Sequence, residues 1–137
     1  MPLTRVSLIK GKSIAYRAAI LDGLYRAMRE TFDVPDDDRF MTITEHDPAD
    51  FLYGQHYLGI ERSGDLVLIQ LTVSNTRPAV QKQALFARIV EHLTANPGLR
   101  PEDIFINLVE VKPENWSFGY GLAQYAQKLP VPAVQET

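Results

Sequence analysis

The chain contains no cysteine. That excludes a disulfide framework, a thiolate metal site and a thiol nucleophile, and removes the usual sequence mark of an oxidising compartment. An excess of positive charge is lacking too: 14 Lys and Arg stand against 17 Asp and Glu, a formal net charge of −3. With no basic footprint, neither nucleic acid nor an anionic membrane is an expected partner, and any anion site must be a local device. No apolar run approaches the ~20 residues that span a bilayer. The opening MPLTRVSLIKGK lacks the apolar core and small-residue cleavage site of a signal peptide, so the expected location is cytoplasmic. Gly-rich phosphate loops, a Ser/His/Asp arrangement and a helix-borne His pair are missing as well. His46, Asp47, Asp50 and His56 cluster in one stretch, but their spacing matches no metal motif, so no metal is expected.

What is present is a chain of 137 residues, 45% of them hydrophobic, enough for one domain (1–137) with its own core. Met1 is followed by Pro2, a small residue of the kind that processing aminopeptidases accept. Loss of Met1 leaves the secondary amine of a proline as the N-terminus, a chemically unusual group.

Residues 2–9 (PLTRVSLI) alternate as a strand does, with Thr4, Val6 and Leu8 on one side and Leu3, Arg5 and Ser7 on the other. Ser13 is an expected N-cap for a helix running to about Phe32, whose apolar stripe is Ile20, Leu24, Ala27, Met28 and Phe32. Asp36-Asp37-Asp38 lies in a turn, and Phe40 to Glu45 reads as a second strand. The same order recurs: strand Leu66 to Val73, a turn, a helix with Pro78 at its first position, and strand Ile104 to Val111.

Sliding the chain by 65 positions superposes the two copies (about 2–46 and 67–111) without a gap. Ile20 falls on Leu85, Leu24 on Ile89, Met28 on Leu93, Val34 on Leu99 and Phe40 on Phe105, while Lys12 falls on Arg77, Asp38 on Asp103 and Glu45 on Glu110. One offset that also matches charge at three separated turns points to an internal duplication. The expected fold is α/β (α+β): two tandem βαβ units forming a four-stranded mixed sheet with two helices on one face. LVLIQLTV barely alternates, which suggests a sheet buried on both faces; two helices cover only one, so oligomerisation is expected to cover the other. Residues 47–65 form a long loop, expected to be packed. A C-terminal aromatic segment (112–137) contains Trp116-Ser117-Phe118-Gly119-Tyr120-Gly121, a short helix over LAQYAQKL and a frayed VPAVQET end.

Pro2-Leu3, FDVPDDDRF, ITEHDP, LGI followed by DLVLIQLT, Gln81-Lys82, and NWSFGYGLAQY together resemble the tautomerase superfamily (the 4-oxalocrotonate tautomerase fold), most closely malonate semialdehyde decarboxylase and its relatives. The resemblance extends to Tyr125. It implies a cofactor-free enzyme, commonly a homotrimer, with Pro2 as the catalytic group. It also implies that Asp38 is the acidic residue before the second strand, that Arg77 is the arginine entering the second helix, and that Trp116, Phe118 and Tyr125 wall the pocket. One feature departs from the pattern: where malonate semialdehyde decarboxylase has Arg-Pro-Arg, this chain has Ser74-Asn75-Thr76-Arg77, one arginine fewer and one residue longer.

A free α-amino group titrates at roughly 7.7 to 8.0, and a low-dielectric site with a cation nearby lowers it. Neutral, it can move a proton alpha to a carbonyl; protonated, it suits decarboxylation or hydration. An arginine at a helix N-terminus matches a carboxylate, so the expected partner is a small carboxylate-bearing substrate. The leading expectation is keto–enol tautomerisation of a small 2-oxo acid, with Pro2, Asp38 and Arg77 catalytic and Arg77, Trp116, Phe118 and Tyr125 binding substrate. Decarboxylation or hydration in the manner of malonate semialdehyde decarboxylase is the alternative. A non-catalytic trimeric binding protein on the same scaffold is the alternative of another class. Simpler structural roles exist for each residue: Pro2 starting an edge strand, Asp38 in a solvated acidic turn, Arg77 or Lys12 on the surface, and the aromatics in a core or subunit contact.

Overall fold

Ser13 starts the first helix, α1 (Ile14–Phe32), by accepting a hydrogen bond from the Tyr16 N–H at 3.0 Å, which satisfies one of the donors that a helix leaves unpaired at its beginning. In the computed structural model, which describes residues 2–127, α1 follows strand β1 (Leu3–Ile9) and precedes β2 (Phe40–His46). The second unit is β3 (Val67–Ser74), α2 (Ala79–Ala95) and β4 (Ile104–Val111), followed by a short α3 (Gln124–Gln127). Pro78 is the N-cap of α2 rather than its first residue. The remainder of the expected LAQYAQKL helix and the VPAVQET end lie outside the described residues.

The sheet is mixed, in the order β2-β1-β3-β4, with β1 parallel to β2, β3 parallel to β4, and β1 antiparallel to β3 at the centre. Both long helices pack on one face. Val6 and Leu8 from β1 and Val67, Ile69, Leu71 and Val73 from β3 meet Ile20, Leu24 and Met28 of α1 and Leu85, Ile89 and Leu93 of α2. Each such side chain contributes about 1.5–3 kcal/mol by leaving water. The helices approach closely at Gly23, where an added Cβ would lie 2.8 Å from Leu93 Cδ2.

Positions 65 apart take equivalent places. Ile20, Leu24 and Met28 are buried as Leu85, Ile89 and Leu93 are, and Val34 as Leu99 is. The polar positions keep step, since Arg17 pairs with Glu45 at 3.5 Å and, 65 residues on, Lys82 pairs with Glu110 at 2.9 Å.

The second sheet face is not buried within the chain. β3 does alternate, with Val67, Ile69, Leu71 and Val73 inward and Leu68, Gln70 and Thr72 on the opposite face. That face carries Leu3, Phe40 and Phe105 at 40, 54 and 46% exposure. It also holds a shallow depression of about 520 Å³ lined by Arg5, Ser7, Leu68, Gln70, Phe105 and Asn107. The loop between the units departs from the expected packing: within 47–65 Phe51 alone is buried, while Leu52, Tyr57 and Leu58 are exposed. It is tied by Arg62, whose Nη1 donates to the carbonyls of Gly54 and Tyr57 at 3.1 and 3.0 Å. Among the described residues no helix is long and apolar enough to cross a membrane.

Candidate active site

Strand polarity gathers the site. Leu3 pairs with Phe40 in the parallel pair and with Thr72 in the antiparallel pair. The end of the sheet where β1 and β2 begin is therefore the end where β3 stops. Ser74 also pairs with Val111, so β4 stops there as well and releases the aromatic segment at the same edge. Pro2, the Asp38 turn, the Ser74 to Arg77 turn and the Trp116 to Tyr125 segment, distant in the chain, converge there.

Two cavities occupy this end. One, about 310 Å³ and largely apolar, is lined by Pro2, Leu3, Phe40, Trp116, Ser117 and Phe118. The other, about 340 Å³, is lined by Ser74, Thr76, Arg77, Pro113 and Tyr125. The aromatics join them: Trp116 stacks on Phe118 at 5.6 Å between ring centres, and Phe118 meets Tyr125 edge to face at 4.8 Å. Trp116 Nε1–H donates to Ser74 Oγ at 3.0 Å. Gln124 braces the segment by accepting from the Phe118 N–H and donating to the Gly119 carbonyl at 3.0 and 3.1 Å.

Arg77 is pinned from behind. Its Nη2 donates to the Phe32 carbonyl at 3.0 Å, and the guanidinium lies 4.2 Å from the centre of the Phe32 ring, a cation–π contact. Among the described residues no carboxylate comes within ion-pair distance of it. Burial pushes its pKa down, and the negative charge potential of Tyr125, Asp33 and Asp38 opposes that. Asp38 is 8% exposed and its Oδ1 is buried with no hydrogen-bond partner. Burial pushes its pKa up, against the positive charges of the chain's amino terminus and of Arg77. Tyr125 is raised by burial and by Asp38, with Arg77 opposing. Asp38, Arg77 and Tyr125 thus share one electrostatic field, which reaches the start of β1.

The second unit shows what an aspartate at this turn does. Asp103, 65 residues after Asp38, is fully buried and accepts from the Ser63 N–H at 2.8 Å and from the Ser63 hydroxyl at 2.6 Å. Ser63 belongs to the chain entering β3. In the first unit Asp38 has no such partner among the described residues: its Oδ1 is buried without a hydrogen bond, and the positive charges of the amino terminus and of Arg77 bear on it instead. Buried polar atoms are normally paired, and an orphan marks a site of strain or function.

Other polar residues fall elsewhere. Lys12, at the position equivalent to Arg77, is closed off by Asp65 at 2.6 Å, and that hydrogen bond raises its pKa, so the first unit has no matching open cation. His56 pairs with Glu61 at 2.6 Å, His46 packs on the Phe51 ring, and Asp47 pairs with Lys10. Among the described residues no three His, Asp or Glu converge as metal ligands would. His92 is buried and bonds Glu30 across α1 and α2. Ser74 and Phe40 line the cavities without having been singled out from sequence. For Ser74 a signal existed, a serine where the first unit has Ile9.

A mixed sheet from two βαβ units thus brings an open arginine and an orphan carboxylate to the end where the N-terminal strand begins. The family model of tautomerase enzymes matches residues 38–119. A probable tautomerase of Bacillus subtilis (strain 168), YusQ, is 35% identical over 124 residues, 90% of this chain and 98% of that protein. The crystal structure of FG41 malonate semialdehyde decarboxylase inhibited by 3-bromopropiolate is 38% identical, with a TM-score of 0.86, covering 95% of this chain and 99% of that one. A fused 4-OT symmetric trimer shares the fold, with a TM-score of 0.77 at 20% identity over 93% of this chain and 99% of that one. The chain belongs to the tautomerase family and is an enzyme of that family. The alternative of a non-catalytic binding protein gives way to that membership.

Proposed function

We propose that the chain is a cofactor-free tautomerase in which the amine of Pro2, freed by removal of Met1, moves a proton on a small 2-oxo acid. The observation that carries this reading is Arg77: a guanidinium without a carboxylate partner among the described residues, lining a cavity and sharing a field with the orphan carboxylate of Asp38. A planar guanidinium held by Phe32 is preorganised for a substrate carboxylate. In the keto form, the substrate's C3 then faces the amine across the aromatic wall. Pro2 takes the C3 proton and delivers it to the carbonyl oxygen, giving the enol; ketonisation is the reverse. Asp38 sets the charge on the amine, and Trp116, Phe118 and Tyr125 exclude water, which strengthens each of these interactions. The exposed apolar residues of the second sheet face favour a homotrimer, with that face covered by neighbouring copies.

Phenylenolpyruvate ketonisation, followed by the loss of enol absorbance, tests the reading. Wild type is expected to turn over, Arg77→Ala to lose about 100-fold in kcat/KM, and Pro2→Ala to lose more. An Arg77→Ala enzyme with wild-type kcat/KM removes the carboxylate role, and an unaffected Pro2→Ala enzyme removes the proline mechanism. The second reading is decarboxylation of a 3-oxo acid, favoured by the 38% identity to a malonate semialdehyde decarboxylase and disfavoured by the single arginine of the Ser74-Asn75-Thr76-Arg77 turn. Release of CO2 from malonate semialdehyde faster than enol turnover would select it.

A further inference from the structure

We propose that the Ser74 hydroxyl is a second donor to the substrate carboxylate, aimed by Trp116 and working beside Arg77; this rests on the carboxylate role of Arg77 proposed above. Ser74 is the last residue of β3, 5% exposed, and lines the same cavity as Arg77. A serine hydroxyl offers one proton and two lone pairs, whereas an indole N–H can only donate. Because Trp116 Nε1–H occupies a lone pair of Ser74 Oγ at 3.0 Å, the hydroxyl proton cannot point at Trp116. No acceptor for that proton is found among the described residues. A buried donor without an acceptor is costly, and the adjoining cavity is where one can arrive.

The fold does not ask for a hydroxyl at this place. The equivalent position of the first unit is Ile9, and there the neighbouring cation, Lys12, is already engaged by Asp65. A polar residue at the strand end thus accompanies the open cation and is absent beside the closed one. The chain's single departure from an Arg-Pro-Arg turn also falls here, and a neutral donor at Ser74 supplies a hydrogen bond without a second positive charge.

The single tryptophan of the sequence is Trp116, so tryptophan emission reports on the surroundings of this one side chain, the Ser74 contact among them. The probes are 2-oxobutanoate and its methyl ester, which lacks the charged carboxylate, titrated by calorimetry into wild type, Ser74→Ala, Ser74→Thr and Arg77→Ala. Ser74→Ala is expected to weaken 2-oxobutanoate about tenfold, the lower end of the range for a hydrogen bond to a charged group. It should leave ester binding within about twofold and shift the Trp116 emission of the free protein. Ser74→Thr keeps the hydroxyl and should restore both affinity and emission. The acid-to-ester affinity ratio is read within one sample, so a partly unfolded variant does not distort it. If Ser74→Ala shifts the emission but leaves that ratio at the wild-type value while Arg77→Ala lowers it, the second-donor role is overturned and Arg77 stands. If Arg77→Ala also leaves the ratio unchanged, the carboxylate reading itself falls.

Discussion

Asp38 carries a carboxyl group that the protein solvates badly. Its Oδ1 is buried and unpaired, and burial raises its pKa. For a carboxyl whose folded pKa lies above its unfolded value, folding is disfavoured once the group is ionised, and that penalty fades as pH falls and the folded state takes up its proton. Asp38→Asn is therefore expected to raise the urea midpoint at pH 7, with the advantage over wild type shrinking on acidification, while enol turnover drops by about 100-fold. A destabilised Asp38→Asn protein would show that the carboxylate is structural, as its counterpart Asp103 is. Glu30 behaves in the opposite sense. Its hydrogen bond from Arg88, then that from His92, lower its pKa to about 2 from 4.5. The stability it contributes is fully present above its unfolded pKa and is lost as pH falls through about 2. The difference in urea stability between wild type and Glu30→Gln should thus be constant above about pH 5 and vanish toward pH 2. Glu30 and Arg88 are solvent-exposed, although His92 is buried, so the difference is small at every pH.

At the scale of elements, helix α1 and helix α2 face each other across Gly23 and Leu93, and each covers its own half of the sheet. Leu93 is completely buried, and its Cδ2 is the atom nearest to Gly23. Leu93→Ala opens a cavity where both helices and β3 meet and is expected to cost about 2–5 kcal/mol in urea unfolding. A loss below 1 kcal/mol would mean that the helices close the gap. Most of this level was legible in advance. The 65-residue offset matched Met28 to Leu93 and Glu45 to Glu110, and the strand and helix limits agree to within one or two residues, because period and capping are local properties. Within LVLIQLTV, Leu68, Gln70 and Thr72 alternate outward, onto the face expected to be covered by another copy, and composition cannot say whether a face is covered by the same chain or by another.

For the whole molecule, the outward face of the sheet is the expected subunit contact. Leu3, Phe40 and Phe105 are partly exposed around the depression lined by Arg5, Gln70 and Asn107. Sedimentation of wild type is expected to give three times the 15.5 kDa chain mass, and Phe105→Asp to give the monomer. A Phe105→Asp protein that still sediments as wild type would place the subunit contact elsewhere.

The sequence by itself determined the two βαβ units, their limits and the core positions of α1 and α2, because each leaves a local or periodic trace, whereas Asp38 was a candidate only through the family resemblance. Only the tertiary structure decided that β1 and β3 run antiparallel at the centre of the sheet, which is what places the start of β1 beside the ends of β3 and β4. That pairing joins segments more than sixty residues apart in the chain, from Ser7 with Leu68 to Leu3 with Thr72, and no local pattern encodes it. The same applies to what distinguishes the two units chemically. Lys12 is closed by Asp65 while Arg77 stays open, and Asp103 is satisfied by Ser63 while Asp38 is not. Residues that the repeat makes equivalent are separated by partners that only the folded chain brings to them.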